Sequence, residues 1–398
     1  MQLLPCTVFF ATDGVVVLGG NNEDWSDTNT KFWLIPSNSG KYGWLKFGFG
    51  GGYPQGGLND QGLFWDATAC SYLEMPYSEV NKEKYDGSLM QKVMEECSSI
   101  DEALIIFQNY YCNDQYRAQY LIGDRTGLSI IVEGDSIITM SNNYQVMTNF
   151  YHSHPELGGY PCWRYETALS MLKNSGEIYE RLFGAILSAT HQEGSYPTQY
   201  SNIYDLKAGI IYLFYYHNFE EFITINLQEE LNKGTQEYSL PNLFSRIQIV
   251  SPKDGQVVNP SSVNFVWKGK SSSTYDLCYS TDSSFSNYES IPVTYSTSPI
   301  DYDIILGSFV LGILLILVPI RIKRNSFLLI ATALVVLFLF NNCTEEITAP
   351  DESGIEEIST TIINLERNTT YYWKVMANPE ASNNFSSESL VHHFITED

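Results

Sequence analysis

The sequence predicts an α+β chain in which strands flank two helix pairs, followed by a β-sandwich interrupted by a transmembrane helical hairpin. Three observations carry this reading. Apolar β-branched runs separated by turn residues recur from Cys6 onward. The stretches from Ser88 to Tyr111 and from Pro161 to Thr190 carry helical periodicity. Beyond Pro241 the chain changes to short alternating strands, split by an uncharged apolar region that begins at Ile304.

The first element is a hairpin. Cys6-Thr7-Val8-Phe9-Phe10 and the run from Val15 to Leu18 are joined by Asp13-Gly14, where glycine tolerates the positive φ of a tight turn. Cys6 therefore starts a strand, and Asp24, just beyond the second strand, returns to the same end of the sheet. A thiol at a strand start facing a carboxylate is the arrangement an N-terminal-nucleophile hydrolase requires. The thiol attacks an amide carbonyl, and the residue's own freed α-amino group, with an ordinary pKa near ~8, accepts the proton. The carboxylate orients that amine.

This pattern resembles the linear amide C-N hydrolases: choloylglycine (bile-salt) hydrolases, penicillin V acylases and the isopenicillin-type acyltransferases. They share Cys-Thr at the start and Gly-Arg-Asn-x-Asp after the hairpin. Here the second motif reads Gly20-Asn21-Asn22-Glu23-Asp24, so Asp24 matches and Asn21 stands at the arginine position. The resemblance implies Cys6 and Asp24 as catalytic residues, with Asn21, Trp25 and Thr68 as substrate contacts.

Composition narrows the class. The chain has 398 residues, room for two or three domains, and a formal charge of -24 from 22 basic and 46 acidic residues. Such an acidic balance argues against a nucleic-acid partner, whose phosphates need basic surface. The cysteines at 6, 70, 97, 112, 162, 278 and 343 form no Cys-x-x-Cys pair and have no histidine at metal spacing. No metal or other cofactor is therefore expected. Disulfides among the six besides Cys6 are left open. His152-Ser153-His154 reads as a loop after a strand, because no third ligand accompanies it.

In chain order, residues 1–5 read as a leader that must be removed to free the Cys6 amine, either by an N-to-S acyl shift or as the stump of a secretory signal. The glycine and aromatic stretch from Gly40 to Gly57 lacks Gly-Lys-[Ser/Thr] and reads as a cleft loop rather than a phosphate loop. Gly57-Leu58-Asn59-Asp60-Gln61-Gly62-Leu63 is similar to the Gly-Met-Asn-Glu-x-Gly-Leu turn of the same family. The family's oxyanion-hole asparagine has no clear match in the following Phe64-Trp65-Asp66-Ala67-Thr68-Ala69, where backbone N–H groups or Thr68 could substitute, and the role is left unassigned.

Two helices follow, the second opened by Ser99-x-x-Glu102 as a capping box, and then a four-strand meander ending on Met147-Thr148-Asn149. The resemblance equates that end with the family's Leu-Thr-Asn, and so implies Asn149 as an active-site donor to the oxyanion. It also places Arg164, which opens the next helix pair, where the family carries an arginine reaching back to the nucleophile. Thr198 to Ser201 and Gly209 to Tyr216 are similar to the closing strand pair. The resemblance thus implies a four-layer αββα N-terminal-nucleophile sandwich over residues 6–240.

Residues 246–298 and 355–398 read as a fibronectin type III or immunoglobulin-like sandwich around Trp267 and Trp373. Between them, Ile304 to Ile320 and Phe327 to Phe340 are apolar runs separated by Arg321-Ile322-Lys323-Arg324, so residues 304–340 predict a membrane hairpin with its basic tip inside. The catalytic domain is then expected on the extracytoplasmic side of a bilayer. Three functions follow: a cysteine amidase acting on a small-molecule acyl amide, an acyltransferase using the same thioester, or an inactive surface adhesion protein.

Overall fold

The structure, a computed structural model, describes residues 6–73, 82–134, 136–295, 354–378 and 385–398. Strands β1 (Thr7–Thr12) and β2 (Val17–Asp24) form the expected hairpin, with Gly14 at φ 89° in its turn. Strand Tyr144–Met147 pairs with β1, and Thr198–Asp205, Ile210–Tyr215 and Asn218–Asn226 extend the sheet antiparallel from β2. A second sheet runs through Ile137–Thr139, Ser129–Val132 and Ala118–Asp124 to β6 (Leu63–Ala69), β5 (Pro54–Asn59), β4 (Trp44–Phe49) and β3 (Thr30–Ile35), and ends on Gln236–Ser239.

One apolar cluster joins Val8, Phe10 and Tyr204 of the first sheet to Phe47, Leu58 and Phe64 of the second, so the sheets stack face to face. Phe9, Ala11 and Leu18 point the other way and are covered by α3 (Trp163–Asn174) and α4 (Glu180–Thr190). The outer face of the second sheet is covered in the same way by α1 (Leu89–Glu96) and α2 (Ile100–Asn109), through Trp65, Val93 and Phe107. Strand β1 is thus buried on both faces, which is why its sequence is continuously apolar rather than alternating. Gly19 and Gly20 follow from the same crowding, since a Cβ on either would lie 2.8 Å from the ring of Phe64 or Phe9.

The first sheet does not stop at the end of this sandwich. Ser387–Ser389 pairs with Asn218–Asn226 and leads on through Thr370–Asn378 and Thr274–Ser280 to Glu289–Thr294. A three-stranded sheet of Gln248–Ser251, Ser262–Lys270 and Ile355–Ile363 packs against these strands through Phe265 on Trp373 and Trp267 on Tyr275. At the junction, buried Glu221 accepts the backbone N–H groups of Ser245 and Ile247 and the hydroxyl of Ser387.

Two parts of the expected fold class are corrected. The described chain is mostly β rather than α+β, because its helices are short and residues 246–295, 354–378 and 385–398 supply strands without an α-helix. The transmembrane hairpin expected at residues 304–340 lies outside the described residues, as does the leader at residues 1–5. Among the described residues no helix is long and apolar enough to cross a membrane. The 12 residues of α3 span only about 18 Å, against a hydrocarbon core of about 30 Å.

Candidate active site

The hairpin register builds the site. Thr7 lies opposite Asn22, and on the other side of β2 Glu23 lies opposite Tyr200 and Asn21 opposite Asn202. One step back along β1 puts Cys6 beside Glu23. Strand alternation then sends Cys6, Asn21 and Glu23 to the interface between the sheets, and Thr7, Asn22 and Asp24 towards α3 and α4.

Asn149, just past the strand Tyr144–Met147, accepts the Cys6 backbone N–H on Oδ1 at 2.7 Å and donates from Nδ2 to the Ala69 carbonyl at 2.9 Å. Arg164, in the first turn of α3 and buried, donates to the Cys6 carbonyl, to Thr7 Oγ1 at 3.0 Å and to Asn149 Oδ1 at 3.0 Å. A cation near a helix N-terminus is unfavourable without a partner, and Arg164 has one in Asp24 at 3.8 Å. The Asp24 carboxylate also accepts from Thr198 Oγ1 at 2.5 Å and Gln192 Nε2 at 2.8 Å. Cys6, Asp24, Asn149 and Arg164, far apart in sequence, therefore meet at the start of β1. The Cys6 nitrogen is held by Asn149 and its carbonyl by Arg164, which is paired with Asp24.

Burial, reinforced by the charges of Glu23 and Asp24, pushes the Cys6 thiol well above its ordinary range, against one lowering contact from the Asp24 backbone N–H. The raised thiol favours its neutral form. Burial also raises Asp24 to about 7, with Arg164, Thr198 and Gln192 opposing the rise.

Of the three residues expected as substrate contacts, Thr68 lines a cavity beside β5 and β6. Asn21 is fully buried, with Oδ1 accepting from Asn202 Nδ2 at 3.1 Å. Thr68 donates to the Thr148 carbonyl and accepts from Gln119. Trp25 sits near Phe49, with its carbonyl accepting from Gln199. The cavity, of about 120 Å³, is lined by Tyr53, Trp65, Thr68, Leu89, Asp114 and Tyr120. Cys6 does not line it, but Ala69, whose carbonyl takes the Asn149 bond, does. Among the described residues no cluster of histidine, cysteine and acidic side chains is arranged to hold a metal, and the six described cysteines are free thiols.

Two acidic residues near Cys6 went unread in the sequence. Glu23 is 4 % exposed, lies beside Cys6 in the hairpin register, and is pushed up to about 8, chiefly by burial and then by Asp24, with the Cys6 thiol opposing the rise. Asp66, on β6 of the facing sheet, is fully buried and raised well above the carboxylate range by burial and by Glu23. Counting the hairpin register back from Asp13-Gly14 would have placed Glu23 next to Cys6. Nothing local marks Asp66, which comes to the site only through the stacking of the sheets.

These carboxyls predict a pH dependence of stability. Their folded pKa values lie above the ordinary unfolded ones, so between pH ~4 and ~8 the folded chain holds more protons than the unfolded chain, and stability falls as pH rises. The melting temperature is expected to drop by at least about 5 °C between pH 5 and pH 8, and Glu23→Gln should flatten the slope. A profile that rises or stays level across this window contradicts the buried acid cluster.

No family model and no curated protein matches the chain. Among solved structures, it is similar to a penicillin V acylase from Agrobacterium tumefaciens, with a TM-score of 0.44 and 16% identity over 53% of this chain and 82% of that one. It is also similar to a variant of the conjugated bile acid hydrolase from Clostridium perfringens, with a TM-score of 0.47 and 19% identity over 59% of this chain and 96% of that one. A second mutant of that hydrolase gives a TM-score of 0.45 and 20% identity over the same shares.

Proposed function

We propose that this chain is a cysteine N-terminal-nucleophile amidase that hydrolyses the linear, non-peptide amide bond of an acylated amine or amino acid through a thioester on Cys6. The observation that supports it is the grip on Cys6: its nitrogen on Asn149 at 2.7 Å, its carbonyl on Arg164, and its thiol against an acidic wall. A structural cysteine needs none of these contacts. Once the Cys6 nitrogen is a free amine, the Asn149 oxygen fixes its direction, and the amine takes the thiol proton as sulfur adds to the carbonyl carbon. The tetrahedral adduct expels the amine leaving group, which carries that proton away, and water then cleaves the thioester. Asp24 and Arg164 act as positioning residues that hold Asn149 and the start of β1. Residues 246–298 and 355–398 are assigned to a fibronectin-like module, whose described strands extend the first sheet.

The test is mass spectrometry of the protein during turnover of acylated amino acids and phenoxyacetyl amides. An acyl adduct on the peptide that begins at Cys6, discharged by water, is the expected result. Discharge to an added amine in preference to water makes the chain an acyltransferase. Turnover by protein whose Cys6 nitrogen is still acylated removes the amine as base, and no turnover with any acyl amide removes the enzyme reading.

A further inference from the structure

The proposed chemistry needs a donor for the carbonyl oxygen that turns negative as sulfur adds. Asn149 holds Cys6 and Arg164 on Oδ1 and donates one Nδ2 hydrogen to Ala69, and the Arg164 guanidinium faces the Cys6 carbonyl, Thr7 and Asn149, on the backbone side of Cys6. On the inner side of the sulfur stand Glu23 and Asp66. Glu23 Oε2 and both Asp66 oxygens are buried with no hydrogen-bond partner, and no cation contributes to the field on either group. Gly56 makes the space that Asp66 occupies, since a Cβ there would lie 2.0 Å from Asp66 Oδ2. Two neighbouring buried carboxyls with no counter-ion, and with only the Cys6 thiol and the Ala67 backbone N–H opposing the rise, cannot both be ionised. One of them keeps its proton.

We infer that the Glu23–Asp66 pair holds a proton at neutral pH and that Glu23 donates it, as a hydrogen bond, to the oxyanion formed on the carbon attached to Cys6. The inference rests on the nucleophile reading above. As the S–C bond forms, the carbonyl π pair moves onto oxygen and is met by the Glu23 O–H. The proton stays on Glu23. When the pair returns to carbon, the C–N bond breaks and the amine leaves with the proton taken from the thiol. A carboxyl beside the sulfur is within reach of an oxygen one carbon away, and a neutral carboxylic acid in an apolar setting is a strong donor to such an oxygen. Glu23 thereby fills the role left open where the stretch from Phe64 to Ala69 lacks a matching asparagine.

The experiment compares Glu23→Gln with Glu23→Ala across pH. The charged and titratable groups facing Glu23 are Cys6 on β1, Asp24 on β2, Asp66 on β6, and Tyr200 and Tyr204 on the strand Thr198–Asp205. Wild-type kcat should fall above pH ~8 as the pair loses its proton. Glu23→Gln keeps an N–H donor that cannot ionise, so it should stay within about tenfold of wild type at pH 7 and lose the alkaline fall, whereas Glu23→Ala should lose about 100- to 1000-fold.

A Glu23→Gln enzyme as slow as Glu23→Ala overturns the proposal, because it makes Glu23 a base instead. Infrared difference spectra between wild type and Glu23→Gln, repeated with Asp66→Asn, read the proton without turnover. A carboxylic-acid carbonyl stretch lost in the variants is expected at pH 7. Its absence overturns the proposal even if Cys6-dependent cleavage is intact. The stretch present in a protein that cleaves no acyl amide overturns the amidase reading, and the donor role with it.

Discussion

Cys6→Ala is expected to bring turnover of an acyl amide to background, a loss on the order of a million-fold if the sulfur forms the thioester. The same change should cost the fold about 1 kcal/mol or less, a typical value for trimming one small group. Both expectations follow from which atoms do what. The contacts that place Cys6 in the fold belong to its backbone: the N–H to Asn149 and the carbonyl to Arg164. Alanine keeps both. Only the sulfur, against Glu23, is lost. The measurements are initial rates with acylated amino acids and phenoxyacetyl amides, alongside thermal melts. Unchanged rates in Cys6→Ala at matched stability would place the nucleophile elsewhere and end the family comparison for this chain.

What was legible in the sequence was whatever local rules decide. The hairpin around Asp13-Gly14 needs only turn chemistry and two apolar runs. The helices α1 and α2 announce themselves by Ser88 and Ser99, which cap Gln91 and Glu102. The capping box is nonetheless not closed on Ser99, for the Glu102 carboxylate reaches back to Ser98 instead. Less legible was anything settled by sheet order. That Ser387–Ser389 would pair with Asn218–Asn226, carrying one sheet from the first sandwich into the C-terminal strands, depends on edge strands about 160 residues apart in sequence, which no local pattern encodes.

The site divides along the same line. Cys6 and Asp24 are both on the hairpin and could be read from it. Asn149 and Arg164 were expected only through a family resemblance, and the structure explains why nothing local marked them: each reaches Cys6 from the end of an element whose approach to β1 is tertiary. Asn21 stands out in sequence because it replaces an arginine, yet it lies buried against Asn202. Glu23, which attracted no notice, lies beside Cys6.

Arg164→Met carries the second large effect. Asp24 is fully buried, and Arg164, at 3.8 Å, is the largest of the groups that oppose its burial, ahead of Thr198, Gln192 and His191. Removing one partner of a buried ion pair leaves the other uncompensated, a loss of about 3–5 kcal/mol. Activity is expected to fall by about 100-fold or more, because Asn149 and the Cys6 carbonyl lose their common support and small displacements of a nucleophile are costly. A double variant separates the two effects. In Arg164→Met with Asp24→Asn no charge is left unpaired, and exchanging a whole ion pair for neutral groups is often close to neutral for stability. Its melting temperature should return most of the way to wild type, while kcat should remain at the level of Arg164→Met. The cycle of wild type, both single variants and the double variant then gives the coupling between the two groups directly. If the double variant regains activity along with stability, Arg164 serves only to neutralise Asp24. If Arg164→Met is as stable as wild type at neutral pH, the ion pair does not hold the start of β1, and the positioning role assigned to it is wrong.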